Sequence, residues 1–197
     1  MFEMKSATSE DYLQALISTT VICAGAVNFV SGLKAVPETI GKTMTQNGVL
    51  FTISSIQAEQ TYPLRAEVLL KRDEDACTLP GDHAPTTIHL AVQDRERIVA
   101  IASLCEDRPE GSAPGLRAWR LRGMAVHASA RGLGFGRLLV HLCLRHAQAR
   151  DAELVWCTAR ESAHGFYEKL GFAADPQTLT MPSRPDLNFY LMRHRFA

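Results

Sequence analysis

The residues best suited to hold a charged small molecule stand in one hexapeptide, Arg131-Gly132-Leu133-Gly134-Phe135-Gly136. Its closely spaced glycines open backbone conformations closed to other residues and let a ligand approach the main chain. An alternating apolar run precedes it and a well-patterned helix follows. The first turn of such a helix leaves N–H groups unpaired and carries the positive end of the helix dipole. A loop of this kind can cradle a phosphate, and Arg131 adds a formal charge beside it. The hexapeptide reads equally as a glycine-rich turn that only passes a strand into a helix, and short glycine patterns do not separate the two readings.

Other chemistries leave weaker marks. The five cysteines, Cys23, Cys77, Cys105, Cys143 and Cys157, are odd in number and widely spaced, with no CxxC pair. That pattern predicts free thiols in a reducing compartment, the cytoplasm. No metal site is expected: His141 and His146 share a helix but stand five apart, off the i, i+4 spacing of a zinc pair. Lys+Arg and Asp+Glu are both 21, a net charge of zero. The chain therefore lacks the basic footprint of a nucleic-acid binder and a polybasic membrane patch.

These residues need elements to position them. Residues 12–33 carry no charge. Gln14, Ser18, Thr19, Thr20, Asn28 and Ser31 argue against a membrane span, and Glu3, Glu10 and Asp11 against a signal peptide. Leu13, Leu16 and Ile17, then Ile22, Ala26, Phe29, Val30 and Leu33, recur at helical spacing. One or two helices are expected there, with an apolar face buried on the main domain or on a second subunit of a homodimer. Pro37 opens another short helical piece that ends at Gly41 or at Asn47-Gly48. Residues 1–48 are thus read as an N-terminal helical extension and 49–197 as the main domain.

In the main domain, β-branched and aromatic content predicts a strand over 49–53. A helix follows over about 57–71, with Leu64, Val68 and Leu69 on its inner face. A polar loop punctuated by Pro80-Gly81-Asp82 leads to a hairpin of 86–92 and 98–104. After a second polar loop comes a long strand over 116–127. Strict alternation puts Trp119, Leu121, Gly123 and Ala125 on one face and Arg120, Arg122, Met124 and Val126 on the other. Gly123 inside that strand marks a bulge or a close approach. Arg117, Arg120 and Arg122 gather charge toward the glycine loop, or form a solvated face. The helix over 134–149 has Phe135, Leu138, Leu139 and Leu142 inward and Arg137, His141 and Arg145 outward. A strand over 154–158, a helix over 161–170 ended by Gly171, and strands from 172 and over 187–193 complete the order β-α-β-β-β-α-β-α-β-β. The fold class is α/β, a mixed and mostly antiparallel sheet flanked by helices.

Three blocks resemble the GNAT-type N-acetyltransferase superfamily: Leu121-Arg122-Gly123-Met124-Ala125-Val126; Arg131-x-x-Gly134-x-Gly136; and Ala163-x-x-Phe166-Tyr167-Glu168-Lys169-Leu170-Gly171-Phe172. They occur in the family's order and spacing, and the resemblance covers about residues 49–197. Leu64-Arg65-x-x-Val68-Leu69, Arg120 to Ala125 and Trp156-Cys157-x-Ala159-Arg160 are similar to a bacterial subgroup whose substrates are mostly unassigned. Thr158 departs from it, standing where asparagine is usual.

The resemblance implies an enzyme that moves an acetyl group from acetyl-CoA to a primary amine, on a small molecule or a protein, by direct attack on the thioester. It implies that Gly132, Leu133, Gly134, Phe135 and Gly136, supplemented by Arg131, hold the pyrophosphate. The pantetheine arm would lie along Met124, Ala125 and Val126 as an added strand, so the strand from Leu154 should splay away. Val126 N–H would receive the oxyanion, Tyr167 would protonate the leaving thiolate, and Arg160 would touch CoA. For a base, His127 and Glu106 are the candidates. Cys157 reads as packing, and His164 as a channel or surface residue. Acidic groups, Glu106, Asp107 and Glu110 in one loop and Asp73-Glu74-Asp75 in another, would attract a cationic acceptor. A non-catalytic acyl-CoA-binding module on the same fold is the rival reading.

Overall fold

The computed structural model describes residues 28–29, 42–46, 49–70, 77–95, 97–181 and 184–196. In chain order these form β1 (Asn28–Phe29), β2 (Lys42–Gln46), β3 (Val49–Ser55), α1 (Ala58–Leu69), β4 (Ile88–Asp94), β5 (Arg97–Glu106) and β6 (Ala118–Val126). There follow α2 (Phe135–Gln148), β7 (Leu154–Arg160), α3 (His164–Glu168), β8 (Ala173–Met181) and β9 (Arg184–Arg195). From β3 onward the order is the one the sequence pattern predicts. The strands make one sheet in the order β1-β2-β3-β4-β5-β6-β7-β9-β8. Every neighbouring pair is antiparallel except β6 and β7, which α2 joins in parallel.

Two expectations for the first 48 residues change. Lys42–Gln46 is a strand hydrogen-bonded to β3, from Lys42 opposite Ile53 to Gln46 opposite Val49, so the short helical piece does not run on to Asn47-Gly48. Asn28 and Phe29 pair with Thr45 and Met44 as strand, not as part of a helix. Thr43 and Thr45 favour a pleated edge, and an available strand partner overrides a weak helical pattern. The helical readings for 12–27, 30–33 and 37–41 lie outside the described residues.

The sheet buries two unequal faces. On the larger, Phe51 and Ile53 of β3, Leu90 and Val92 of β4, Ala100, Ala102 and Leu104 of β5, and Trp119 and Leu121 of β6 pack against Phe135, Leu139 and Leu142 of α2. Arg137, His141 and Arg145 face outward as expected. On the other face Leu64 of α1 meets Ala91, Ile101 and Ala125, with Val68 and Leu69 at the margin.

The alternation along β6 does not hold throughout. Ile101 pairs with Ala125 and Ser103 with Arg122, so Gly123 and Met124 together face Ala102. This is a β-bulge, and Gly123 takes a φ of 56° in it. One extra residue reverses the side-chain phase. Met124 and Val126 therefore join Trp119 and Leu121 on the α2 face, and Ala125 turns to α1.

One core polar residue makes stability depend on pH. His146 of α2 is fully buried, its ring edge-on to Trp119 at 5.5 Å between centroids. Arg150 Nη1 lies 3.2 Å from His146 Nδ1, which makes Nδ1 the acceptor and leaves the proton on Nε2. Burial, then the Arg150 charge, pushes the pKa down to about 3. The nearby helix C-terminus favours a cation by only about 0.3–1 kcal/mol, so burial wins. The unfolded value is about 6.5. Native stability is complete above that value and is lost as the pH falls toward 3, because the unfolded chain takes up the proton first. In urea titrations from pH 7 to pH 4, wild type should lose about 3 kcal/mol more than His146→Phe. Equal acid slopes would show that His146 is protonated in place.

Candidate active site

β6 and β7 run together for three residue pairs and then part. Ala118, Trp119 and Arg120 pair with Leu154, Val155 and Trp156. Beyond them, β6 continues to Val126 still paired with β5, up to Val126 opposite Ala100. β7 continues to Arg160 paired only with β9, ending at Arg160 opposite Phe189. A slot opens between 121–126 and 157–160, walled by two strand edges whose polar groups face each other without pairing. The splay expected at this point is present.

The glycine loop closes one end of this slot. After β6 the chain makes a short 3-10 turn, Ala128–Ala130, capped by His127, which accepts the Ser129 N–H through Nδ1. Arg131 Nε then donates to the Val126 carbonyl at 3.3 Å. Gly134 is the N-cap of α2 in the left-handed region, φ 84°, with no side-chain cap. The first-turn N–H groups of α2 thus have neither an intrahelical acceptor nor a capping side chain. Gly136 is tight: a Cβ there would lie 2.8 Å from Met124 Cε and 3.4 Å from Val126 Cγ2. The absence of a side chain lets the head of α2 sit directly on the end of β6.

Tyr167 of α3 forms part of the slot's α2-side wall. It is only 6% exposed, and its hydroxyl donates to Met124 Sδ at 3.6 Å. Phe166 and Phe172 hold the ring in T-shaped contacts at 5.0 and 5.4 Å. Burial, then the neighbouring Cys157, pushes the phenol pKa well above 10. The hydroxyl stands between Met124 of β6 and Cys157 of β7, where the strands separate, and keeps its proton. Cys157 itself is pushed up to about 12 by burial. It is a packing thiol, as expected, and not a nucleophile.

The remaining candidates disperse. Arg160 donates to the Leu69 carbonyl at the end of α1, on the face away from the glycine loop. The arginines expected near that loop are elsewhere: the strand alternation aims Arg120 and Arg122 at the α1 side, and Arg117 precedes β6 at its opposite end. Arg120 stacks on Trp156 at 4.4 Å and pairs with Asp107 at 3.2 Å. Arg122 donates to the Pro80 carbonyl, and Arg117 sits at the far end with Glu153 and Asp151. Only Arg131 reaches the loop.

Of the base candidates, Glu106 faces Trp119, about 20 Å back along β6 from Val126 by strand rise. His127 is at the slot end. Its Nε2 lies 3.1 Å from Glu67 and 2.5 Å from Arg97 Nη2. The two contacts make opposite demands, a proton for Glu67 and a lone pair for Arg97. His164 is paired with Glu168 at 3.3 Å and packed on Tyr190. The Asp73-Glu74-Asp75 run lies outside the described residues.

One cluster escapes the sequence reading. Arg65, wholly buried, donates from Nη1 to Asp82 at 2.5 Å and to the Cys77 carbonyl at 2.9 Å. Its Nη2 donates to Asp82 at 3.0 Å and to Ser103 Oγ at 2.8 Å. Ser103 Oγ lies 2.7 Å from His89 Nδ1, and His89 Nε2 lies 2.9 Å from the Asp82 carbonyl. The ring closes when the Ser103 hydroxyl donates to His89 Nδ1 and His89 Nε2–H donates to the Asp82 backbone carbonyl. Burial pulls the His89 pKa below its ordinary value and keeps the ring neutral. Burial alone would raise Asp82, but the Arg65 and Leu79 N–H bonds outweigh it and hold the carboxyl low. The signal was an arginine beside Leu64 on the inner helix face, with a histidine and a serine inside apolar strands.

Among the described residues no cluster of three or more metal-binding side chains occurs, and no helix is long and apolar enough to cross a membrane.

The chain is 31% identical over 128 residues to the uncharacterized N-acetyltransferase YitI of Bacillus subtilis (strain 168), covering 62% of this chain and 83% of that protein. It is 29% identical over 118 residues to glucosamine 6-phosphate N-acetyltransferase 1 of Oryza sativa subsp. japonica, covering 59% of this chain and 68% of that one. An aminoglycoside 6'-N-acetyltransferase complexed with coenzyme A shares the fold, with a TM-score of 0.57 and 16% identity over 73% of this chain and 96% of that one. The model of the Acetyltransferase (GNAT) family matches residues 51–172, and the chain belongs to that family of acyl-CoA-dependent acetyltransferases.

Proposed function

We propose that the protein transfers an acetyl group from acetyl-CoA to a primary amine, in a catalytic unit spanning residues 49–197. The observation that carries this reading is the slot between β6 and β7, with an uncapped helix start at its end and a protonated phenol in its wall. An extended pantetheine arm carries amide donors and acceptors that suit an unpaired strand edge, here Met124, Ala125 and Val126. Its pyrophosphate suits the N–H groups of Gly132, Leu133, Gly134, Phe135 and Gly136 with the Arg131 charge beside them.

In the reaction the uncharged amine nitrogen bonds to the thioester carbon, and the carbonyl pair moves to oxygen. Val126 N–H is the donor for that oxyanion. On collapse the C–S bond breaks, and Tyr167 gives its proton to sulfur. The proton shed by the nitrogen returns to solvent and from there to Tyr167. The dry environment that holds the phenol proton tightly also raises the proton affinity of a thiolate released beside it. The two pKa values rise together, and the transfer keeps its driving force. Arg160 is engaged at the end of α1, so its role toward CoA is secondary in this reading. The acceptor is an amine on a small molecule or a protein. The rice relative's name pairs an amine with a phosphate, which makes phosphorylated amino sugars a sensible first entry in an acceptor panel.

Free-thiol release from acetyl-CoA with a panel of amines tests the chemistry. Tyr167→Phe should reduce kcat by about a hundredfold or more, with the CoA dissociation constant within about twofold because the loop is untouched. CoA binding without thiol release on any amine would favour the non-catalytic reading. Gly134→Ala adds a Cβ that meets nothing within 4 Å, so its whole cost is backbone strain of about 1–2 kcal/mol. Calorimetry should show CoA binding weakened by about five- to tenfold as the loop relaxes away from its binding shape. Unchanged affinity would remove the loop from the cofactor site.

A further inference from the structure

The Arg65 guanidinium has one polar atom without a partner, Nε. That atom lies under the β6 bulge: a Cβ on Gly123 would stand 2.7 Å from it, and 3.1 Å from Nη2. The guanidinium fills the space a side chain would occupy at this position. Its other nitrogens are spoken for by Asp82, the Cys77 carbonyl and Ser103. Those acceptors come from the loop after α1 and from β5, so the plane cannot slide along the strand. Gly123 with φ 56° is likewise fixed, since no other residue takes that conformation without strain or fits over Arg65. The bulge is what turns Met124 and Val126 to the α2 face and sets the edge that follows.

We propose that Arg65 is a positioning residue for acyl transfer: clamped by Asp82 and Ser103 beneath Gly123, it holds the β6 bulge in place and so aims the Met124–Val126 backbone at the thioester. The inference rests on the acetyl-transfer reading above. A purely structural ion pair would affect how much protein folds. A positioning pair also changes what the folded protein does to its bound ligand. Arg65→Lys keeps the charge and loses the flat fork that reaches Asp82, Ser103 and the Cys77 carbonyl together.

The test uses the full chain with [1-13C]acetyl-CoA. Isotope-edited infrared difference spectra read the polarisation of the thioester carbonyl by its hydrogen-bond donor, and need no knowledge of the acceptor. Wild type should shift the carbonyl band to lower frequency on binding. In folded Arg65→Lys the band should move back toward that of free acetyl-CoA, while the dissociation constant stays within about threefold because the loop is unchanged. With any amine the wild type turns over, kcat should fall by about ten- to a hundredfold, the scale of a small misplacement at a reacting centre. Should Arg65→Lys fail to fold, Ser103→Ala, which removes one of the clamps, should show a partial return of the band. A shifted wild-type band left unchanged in the folded variant overturns the inference alone. A wild-type protein that leaves the band where free acetyl-CoA has it overturns the acetyl-transfer reading, and this inference with it.

Discussion

At Gly123, β6 carries one residue more than β5 can pair, and the surplus is accommodated over a buried guanidinium. The geometry downstream depends on that contact. Were Gly123 paired in regular alternation with no bulge, Met124 and Val126 would point toward α1, and Ala125 into the α2 core. Met124 could not then meet Tyr167, and Val126 could not pack on the head of α2 at Gly136. The device costs free energy. Burying a charge is repaid only by close pairing, and apolar residues of similar volume often serve a core as well or better. Removing one member of such a pair typically costs about 3–5 kcal/mol because the other charge is left stranded. An arrangement that adds so little net stability and is so hard to dismantle is better understood as a specification of shape.

The two faces of the sheet divide the chemistry. On the α2 side of the slot stand groups that keep their protons: Cys143 and Cys157, both pushed up to about 12 by burial, and the Tyr167 phenol above its ordinary value. Among the described residues no ionised group is buried between them. The α1 side holds the cations Arg65, Arg120, Arg122 and Arg160, each tied to a carboxylate or a backbone carbonyl. Arg65, Arg122 and Arg160 brace α1 and the loop after it against the sheet, and Arg120 fastens the segment after β5. The loop after α1 includes Asp82, which Arg65 ties to Ser103 of β5 directly beneath the β6 bulge.

The slot has a topological origin. β6 and β7 are the sheet's only parallel neighbours among the described residues, and their connection passes through α2. The strands must separate by the point where the helix begins, because the head of α2 rests on the end of β6. Gly136 makes that approach close, and β9 takes the whole length of β7 as its partner, drawing it aside. The parting of the strands and the placement of the helix N-terminus are thus one arrangement, with a strand edge and a ring of unpaired N–H groups side by side.

Much of this was legible in the chain. Period-2 and period-3.6 patterns gave the element order from β3 onward. The glycine spacing marked the loop, and Gly123 marked a bulge or a close approach, because glycine takes positive φ without strain and brings no side chain against a neighbour. The long-range choices were not legible. Alternation assigns faces only while the register holds, so with Gly123 read as a bulge or a close approach Met124, Ala125 and Val126 were still left on the wrong sides. The arginines of β6 looked like a group near the glycine loop because sequence distance is not sheet distance. Arg65, Asp82, Ser103 and His89 lie far apart in the chain, and nothing local tells a buried network from a helix arginine and a turn aspartate. Lys42–Gln46 carried too little pattern to resist the edge of β3. Local sterics and periodicity, written residue by residue, are thus what the sequence determined by itself. Which charges meet, where two strands part and which way an edge faces were decided only by tertiary packing, since each depends on partners that folding alone brings together.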